Sequence, residues 1–399
     1  MKKAISFIVP FVMLLFLALT GCTEQYVLQT NTFESAIVVE ATITNEFKKQ
    51  RIKITRTYRL EENYPTNVTD AEVSVTDSDG KEYVFEEAAG SYVSISEFAA
   101  IPGKTYRLNI VTNDGKTYNS TAESLTTINP IEAIVPKVQT KNGTRGVFIY
   151  VNSQDPQNTS KYYRYEYEET YKIIAPKWNS DKAITVPGET PSDHREIVLQ
   201  PRGSEETRIC YSSERSNGII QTTTSSQNED RIDFPVRFIS EKNAIISNRY
   251  SILVRQYIQN LASYTFYKTL KEISGSENIL SQTQPGFFYG NMKSIDNPNE
   301  KVIGFFEVSS VSSKRIFFNY EDLFPGQQLP PYFTDCTVKE FKFCFASGVS
   351  ECKGNELLSA INANTLLYYG NINDRYFMVV PMCGDCTTFS SNTVPSFWE

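Results

Sequence analysis

Short runs of alternating apolar residues, Asp-Gly pairs set between them, and 24 Tyr with 25 Phe among 399 residues predict a mainly β chain. Residues 35–128 read as an N-terminal β-sandwich, immunoglobulin-like or transthyretin-like. Residues 129–399 read as a larger β-rich domain with one short helix and a cysteine-rich tail. A signal peptide at 1–21 and a polar tether at 22–34 precede them.

The leader carries Lys2 and Lys3, an apolar run from Phe7 to Leu19, and then Leu19-Thr20-Gly21-Cys22. That run is too short to stay in a bilayer as a spanning helix. Small residues directly before a cysteine form the lipobox pattern, in which cleavage exposes Cys22 for acylation. Acyl chains on its thiol and amine exceed the two anchors that stable membrane attachment needs.

In the sandwich, Ile37 and Val39 alternate, as do Ile52 and Ile54, Val73 and Val75, and Tyr106, Leu108 and Ile110. Seven short strands are expected over Ser35–Ile128. Asp79-Gly80 and Asp114-Gly115 form hairpin turns, where glycine tolerates positive φ. Asn129-Pro130-Ile131 opens a crossover, and Val147, Ile149 and Val151 resume the strand pattern. Tyr163-Arg164-Tyr165-Glu166-Tyr167-Glu168 sets three tyrosines on one face and charge on the other, the charged face reading as solvated. Residues 174–206, rich in Pro, Gly, Ser and charge, read as a long exposed loop, and 222–230 as a second polar loop. One helix is expected over 260–273, with Asn260 capping its start and Gly275 following its end.

Loss of Lys2 and Lys3 with the leader takes the net charge from −7 to −9. That balance argues against nucleic acid as a partner. The single histidine, His194, sits in a Pro- and Gly-rich loop and leaves no room for a multi-histidine metal site. Glu166 and Glu168 are the nearest thing to a carboxylate pair, and one charged strand face accounts for them. No catalytic residue, cofactor or metal ligand is expected. Beyond Cys22, the even set Cys210, Cys336, Cys344, Cys352, Cys383 and Cys386 reads as disulfides in an exported chain, with 15 pairings open. Cys383-Gly384-Asp385-Cys386 also has zinc or thiol-redox spacing, but no second close pair and no thioredoxin-like βαβ pattern accompanies it.

Several segments, in this order, carry a family resemblance: Ile37-Val38-Val39-Glu40-Ala41-Thr42-Ile43-Thr44-Asn45; Asp70-Ala71-Glu72-Val73 through Gly90-Ser91-Tyr92; and Tyr163 to Thr170. Cys210-Tyr211, Tyr264 to Leu270, Gly290-Asn291, Cys383-Gly384-Asp385-Cys386 and Phe397-Trp398 complete it. The chain resembles the Bacteroidota outer-membrane lipoproteins grouped as domain-of-unknown-function family 4249. The resemblance implies an outer-membrane lipoprotein, commonly encoded beside TonB-dependent receptor barrels, with no catalytic residues to carry over. The departure is a sparse acidic cluster after Cys22, where only Glu24 is charged.

The expected role is therefore a non-enzymatic accessory of an outer-membrane β-barrel, either a TonB-dependent receptor or the barrel-assembly machinery. Acylated Cys22 would hold it in the bilayer, at the cell surface rather than the periplasmic face. The alternative is a free-standing surface protein that captures glycan or peptide, with Tyr165, Tyr167, Trp178 and Phe287 to Tyr289 as stacking residues.

Overall fold

The computed structural model describes residues 35–58, 62, 64–187, 196–203, 206–275, 289–344 and 354–398. The chain is mainly β. Strands β1 (Ile37–Thr44), β2 (Arg51–Arg56), β3 (Thr66–Asn67), β4 (Glu72–Asp77) and β5 (Glu82–Ala88) come first. They are followed by β6 (Ser91–Ser94), β7 (Thr105–Val111), β8 (Thr117–Ser120) and β9 (Glu123–Ser124). Seven of these have four residues or more, matching the expected strands; β3 and β9 are two-residue additions. Gly80 and Gly115 adopt φ of 80° and 82° in the β4–β5 and β7–β8 turns. Inward residues of these strands, among them Val39, Ile52, Val75, Leu108 and Tyr118, form one core.

That core is completed from far along the chain. β20 (Val302–Phe318), the longest described strand, pairs in parallel with β1, from Ile37↔Val302 to Thr44↔Ser309. Phe306 and Val308 join the core from it, as does Met292 of β19 (Met292–Ser294). The sheet therefore runs across the 128/129 boundary. β19 pairs with β8, and the Asn291 side chain then stitches this end back to β20. Its Oδ1 accepts from the Phe306 N–H at 2.7 Å and its Nδ2 donates to the Phe306 carbonyl at 2.9 Å. Gly290 and Gly304 permit that approach: a Cβ on Gly290 would lie 1.6 Å from the Gly304 carbonyl oxygen.

The second half of β20 pairs with β18 (Tyr250–Gln259), and β18 with β12 (Tyr162–Ile174). On this sheet lies a three-stranded layer of β10 (Ala133–Lys141), β11 (Thr144–Asp155) and β17 (Asp230–Ser240). Val147, Ile149 and Val151 from one layer meet Tyr163, Tyr165, Ile252 and Val254 from the other, as two stacked sheets must to bury both faces. Next to β12 run β15 (Ile209–Arg215) and β16 (Ile220–Thr223).

Two expectations are corrected here. Residues 174–206 are not all loop: β13 (Asp181–Val186) and β14 (Glu196–Pro201) form a hairpin, with Ile184 and Val198 paired across it. The helix α1 (Leu261–Gly275) is present, and the Ser263 N–H donates to Asn260 Oδ1 at 2.8 Å as an N-cap requires. It is not alone. Short α2 (Tyr320–Leu323) precedes β21 (Lys339–Lys342), the nine-residue α3 (Gly354–Asn362), β22 (Leu367–Ile372) and β23 (Arg375–Val379), and α4 (Pro381–Gly384) follows. α3 packs Leu357 and Ile361 on the β21-β23-β22 sheet, making a third, small core to which Ala183 and Ile197 of the hairpin add.

The charged face of β12 is solvated only in part: the Glu166 side chain stays 45% exposed, but that of Arg164 is withdrawn from water. α1 lies over this face, and Arg164 is buried with its guanidinium 4.3 Å from the Tyr257 ring and 5.1 Å from the Tyr267 ring. Its Nη2 donates to Glu307 Oε2 at 3.1 Å, and Nη1 pairs with Glu166. Burial disfavours the charged guanidinium, but Glu307 outweighs it and raises the pKa.

Asp155 makes a pH-dependent contribution. Burial pushes its carboxyl up, but N–H donors from Thr159, Ser160 and Gln157 and the Thr159 hydroxyl hold it down at about 2. A carboxylate with a depressed folded pKa stabilises fully above its unfolded pKa of about 4 and loses that contribution as pH falls toward 2. The shift corresponds to about 2 kcal/mol. Asp155→Asn is expected to flatten the acid limb of stability against pH in urea melts; an unchanged limb would assign acid unfolding to other groups.

Candidate functional site

Two disulfides between described residues hold the tail. Cys210 of β15 bonds Cys386, and Cys336 bonds Cys383, at sequence separations of 176 and 47. Each cysteine of Cys383-Gly384-Asp385-Cys386 thus bonds a distant partner rather than its neighbour, and neither thiol is free for zinc or dithiol exchange. Cys344 is also disulfide-bonded. Cys22, Cys352 and His194 lie outside the described residues.

Between the two bonded cysteines sits Asp385. Its Oδ1 accepts from the Thr387 N–H and hydroxyl, and its Oδ2 accepts from Arg202 Nη1 at 2.9 Å. Backbone bonds fix the surroundings: Cys386 N–H to the Thr207 carbonyl and Lys177 N–H to the Cys383 carbonyl, both at 2.9 Å. Gly384 has no room for a larger residue without movement, since a Cβ would meet Leu367 and Val379 at 3.3 Å.

This platform floors a cavity of about 450 Å³ between the β13 strand, α3 and β22. Lys182, Thr185, Arg202, Asn362, Asn364 and Asp385 supply polar lining, and Ile361, Leu366, Leu367 and Met378 an apolar wall. Arg202 is the central group. Its side chain is 9% exposed; Nε donates to the Asn179 carbonyl and Nη1 to Asp385 and Thr207, while Nη2 donates to none of the described residues. Lys182 stands exposed on the β13 wall. A second hollow of about 720 Å³ lies between α1 and Gly290-Asn291 and includes Phe266, Phe305 and Tyr289.

The expected stacking residues do not converge. Tyr165 is 1% exposed, inside the core. Tyr167 is half-buried beneath the Arg237 guanidinium. Trp178 packs against the second core and donates Nε1–H to Thr207 Oγ1 at 2.9 Å, one side chain from the cavity floor. Tyr289 is exposed by the second hollow; Phe287 and Phe288 lie outside the described residues. Sequence reading missed Arg202, which falls in the segment taken as loop and meets Asp385 of the cysteine motif only in the fold. The terminal aromatics dock on the fold, with the Trp398 ring 4.9 Å from Tyr211 and 5.6 Å from Phe317.

The family model described as Domain of unknown function (DUF4249) matches residues 23–315, and the chain belongs to that family. The match ends before the disulfide-held tail. No curated protein matches the sequence significantly.

Proposed function

We propose that this member of the DUF4249 family is a non-enzymatic lipoprotein of the outer membrane, anchored through acylated Cys22 at the cell surface and docked on a β-barrel, either a TonB-dependent receptor or the barrel-assembly machinery. The observation that carries this reading is the leader ending in Leu19-Thr20-Gly21-Cys22. The family match, which begins at residue 23, is in keeping with a mature chain that starts at the cysteine.

An exposed apolar tip supports the docking part. β1 follows the tether, and past its far end Phe47 is 73% exposed, with Ile95 and Ile101 of a second loop at 55% and 49%. The two loops bearing them are tied by Phe98 N–H to the Lys48 carbonyl and Ala100 N–H to the Thr44 carbonyl, at 3.1 and 2.8 Å. Large apolar side chains grouped on a surface favour a protein partner. A photo-crosslinking residue placed at Phe47 or Ile101 is expected to form an adduct of barrel mass in intact cells. Ile372, 64% exposed in the tail, serves as the control position. Equal adducts at all three positions, or none at the tip, would contradict docking through this end. Cys22→Ala is expected to abolish acyl labelling.

A further inference from the structure

We infer that the cavity floored by Arg202 and Asp385 binds a small carboxylate with an apolar body. The Arg202 side chain is more than nine-tenths buried, lines the cavity and is fixed on two sides through Nε and Nη1, with its Nη2 donating to none of the described residues. The N–H groups of a guanidinium donate most strongly to an anion, and a carboxylate is the simplest anion that carries an organic body. Asp385 does not oppose this, because its oxygens are already engaged by Thr387 and Arg202. Lys182 brings the charge of the lining to +1, and Asn362 and Asn364 add amides that can donate to the same anion. Ile361, Leu366, Leu367 and Met378 then suit an apolar remainder. The volume of about 450 Å³ falls within the range for small-molecule sites. The two disulfides hold the floor in place before any ligand arrives, which lowers the ordering cost of binding.

Two sources share this chemistry: the C-terminus of a short peptide and a free organic acid. The inference rests on the cavity alone and not on docking to a barrel, so loss of one leaves the other standing. Calorimetric titration of the full-length, detergent-solubilised protein is the test. Its probes are N-acetylated Ala-Ala-Leu and hydrocinnamate, each as free acid and as primary amide. At least one free acid is expected to bind saturably while its amide does not, and which acid binds identifies the source. Lys182→Gln, an exposed change, is expected to weaken that binding about three- to tenfold. Trp178 fluorescence is expected to change in step with the heat, since its indole is bonded to Thr207 on the cavity floor. Absence of binding by both acids, equal binding of acid and amide, or binding indifferent to Lys182→Gln would each overturn the inference.

Discussion

Glu307→Ala is expected to lower folding stability by about 3–5 kcal/mol, the range for stranding one member of a buried ion pair. Glu307 is 2% exposed and ties together five elements. Its Oε2 accepts from Arg164 of β12 at 3.1 Å and from Thr42 of β1 at 3.5 Å. Its Oε1 accepts from Gln259 at the end of β18 at 3.0 Å and from Ser263 of α1 at 2.8 Å. Removing the carboxylate leaves the buried Arg164 with Glu166 as its remaining carboxylate, and leaves the Gln259 amide without this acceptor. Arg164 Nε is already buried without a partner among the described residues, so little slack remains. The network joins the N-terminal core to the central sheet, so both should lose stability together. Arg164→Met with Glu307→Leu should cost much less than the sum of the single changes, because no charge is then left buried. Urea melts of Glu307→Ala, of the two single changes and of the double variant check this; a Glu307→Ala cost below about 1 kcal/mol would show that the pair is solvated in solution.

Replacing Cys210 and Cys386 by serine is expected to be the other large effect. Closing a loop of 176 residues is worth about 5 kcal/mol in the chain-entropy picture, and the 47-residue loop of Cys336–Cys383 about 4 kcal/mol. The loss should be local. No cysteine lies between Cys22 and Cys210, and among the described residues the fully buried members of the N-terminal core lie within 37–118 and 292–308. The outer part of the tail instead leans on a small core of six buried residues, Phe341, Leu357, Ile361, Leu366, Tyr368 and Met378, while Tyr320, Phe324 and Cys386 reach the central core. Limited proteolysis under reductant should therefore cut within residues 320–398 first. Earlier loss of residues 37–120 would contradict the assignment of the disulfides as the staple of the tail.

What was legible in the sequence follows from the range of the forces involved. Alternation such as Tyr106-Leu108-Ile110 and turns such as Asp79-Gly80 are local, and they placed the strands of the first core. The cap of α1 by Asn260 was equally local. The pairing of β1 with β20 was hidden because partners such as Val39 and Gly304 lie far apart along the chain and parallel pairing needs no turn to announce it. Arg164 was misread because charge on alternate positions ordinarily means water, and only the overlying α1 and Glu307 show otherwise. The hairpin at 181–201 was missed although Ile184 and Val186 face Val198 and Glu196, because flanking proline, glycine and charge masked a short alternation. α3 is only nine residues long, and Leu357 with Ile361 gives a single helical repeat, too short a period to stand out. The cavity could not have been read at all, because Arg202 and Asp385, 183 residues apart, meet only in the folded chain.

The measurement that bears most directly on the central proposal is an in-cell crosslinked, detergent-solubilised pull-down of the Cys22-anchored protein, read by mass spectrometry. The account predicts one outer-membrane barrel recovered in near-stoichiometric amount and lost from a Phe47→Asp, Ile101→Asp variant that still folds and still carries acyl chains. A TonB-dependent receptor would make the protein an uptake accessory, and a barrel-assembly protein would make it a biogenesis subunit. Recovery of the lipoprotein without any barrel, from gently solubilised membranes, would contradict it.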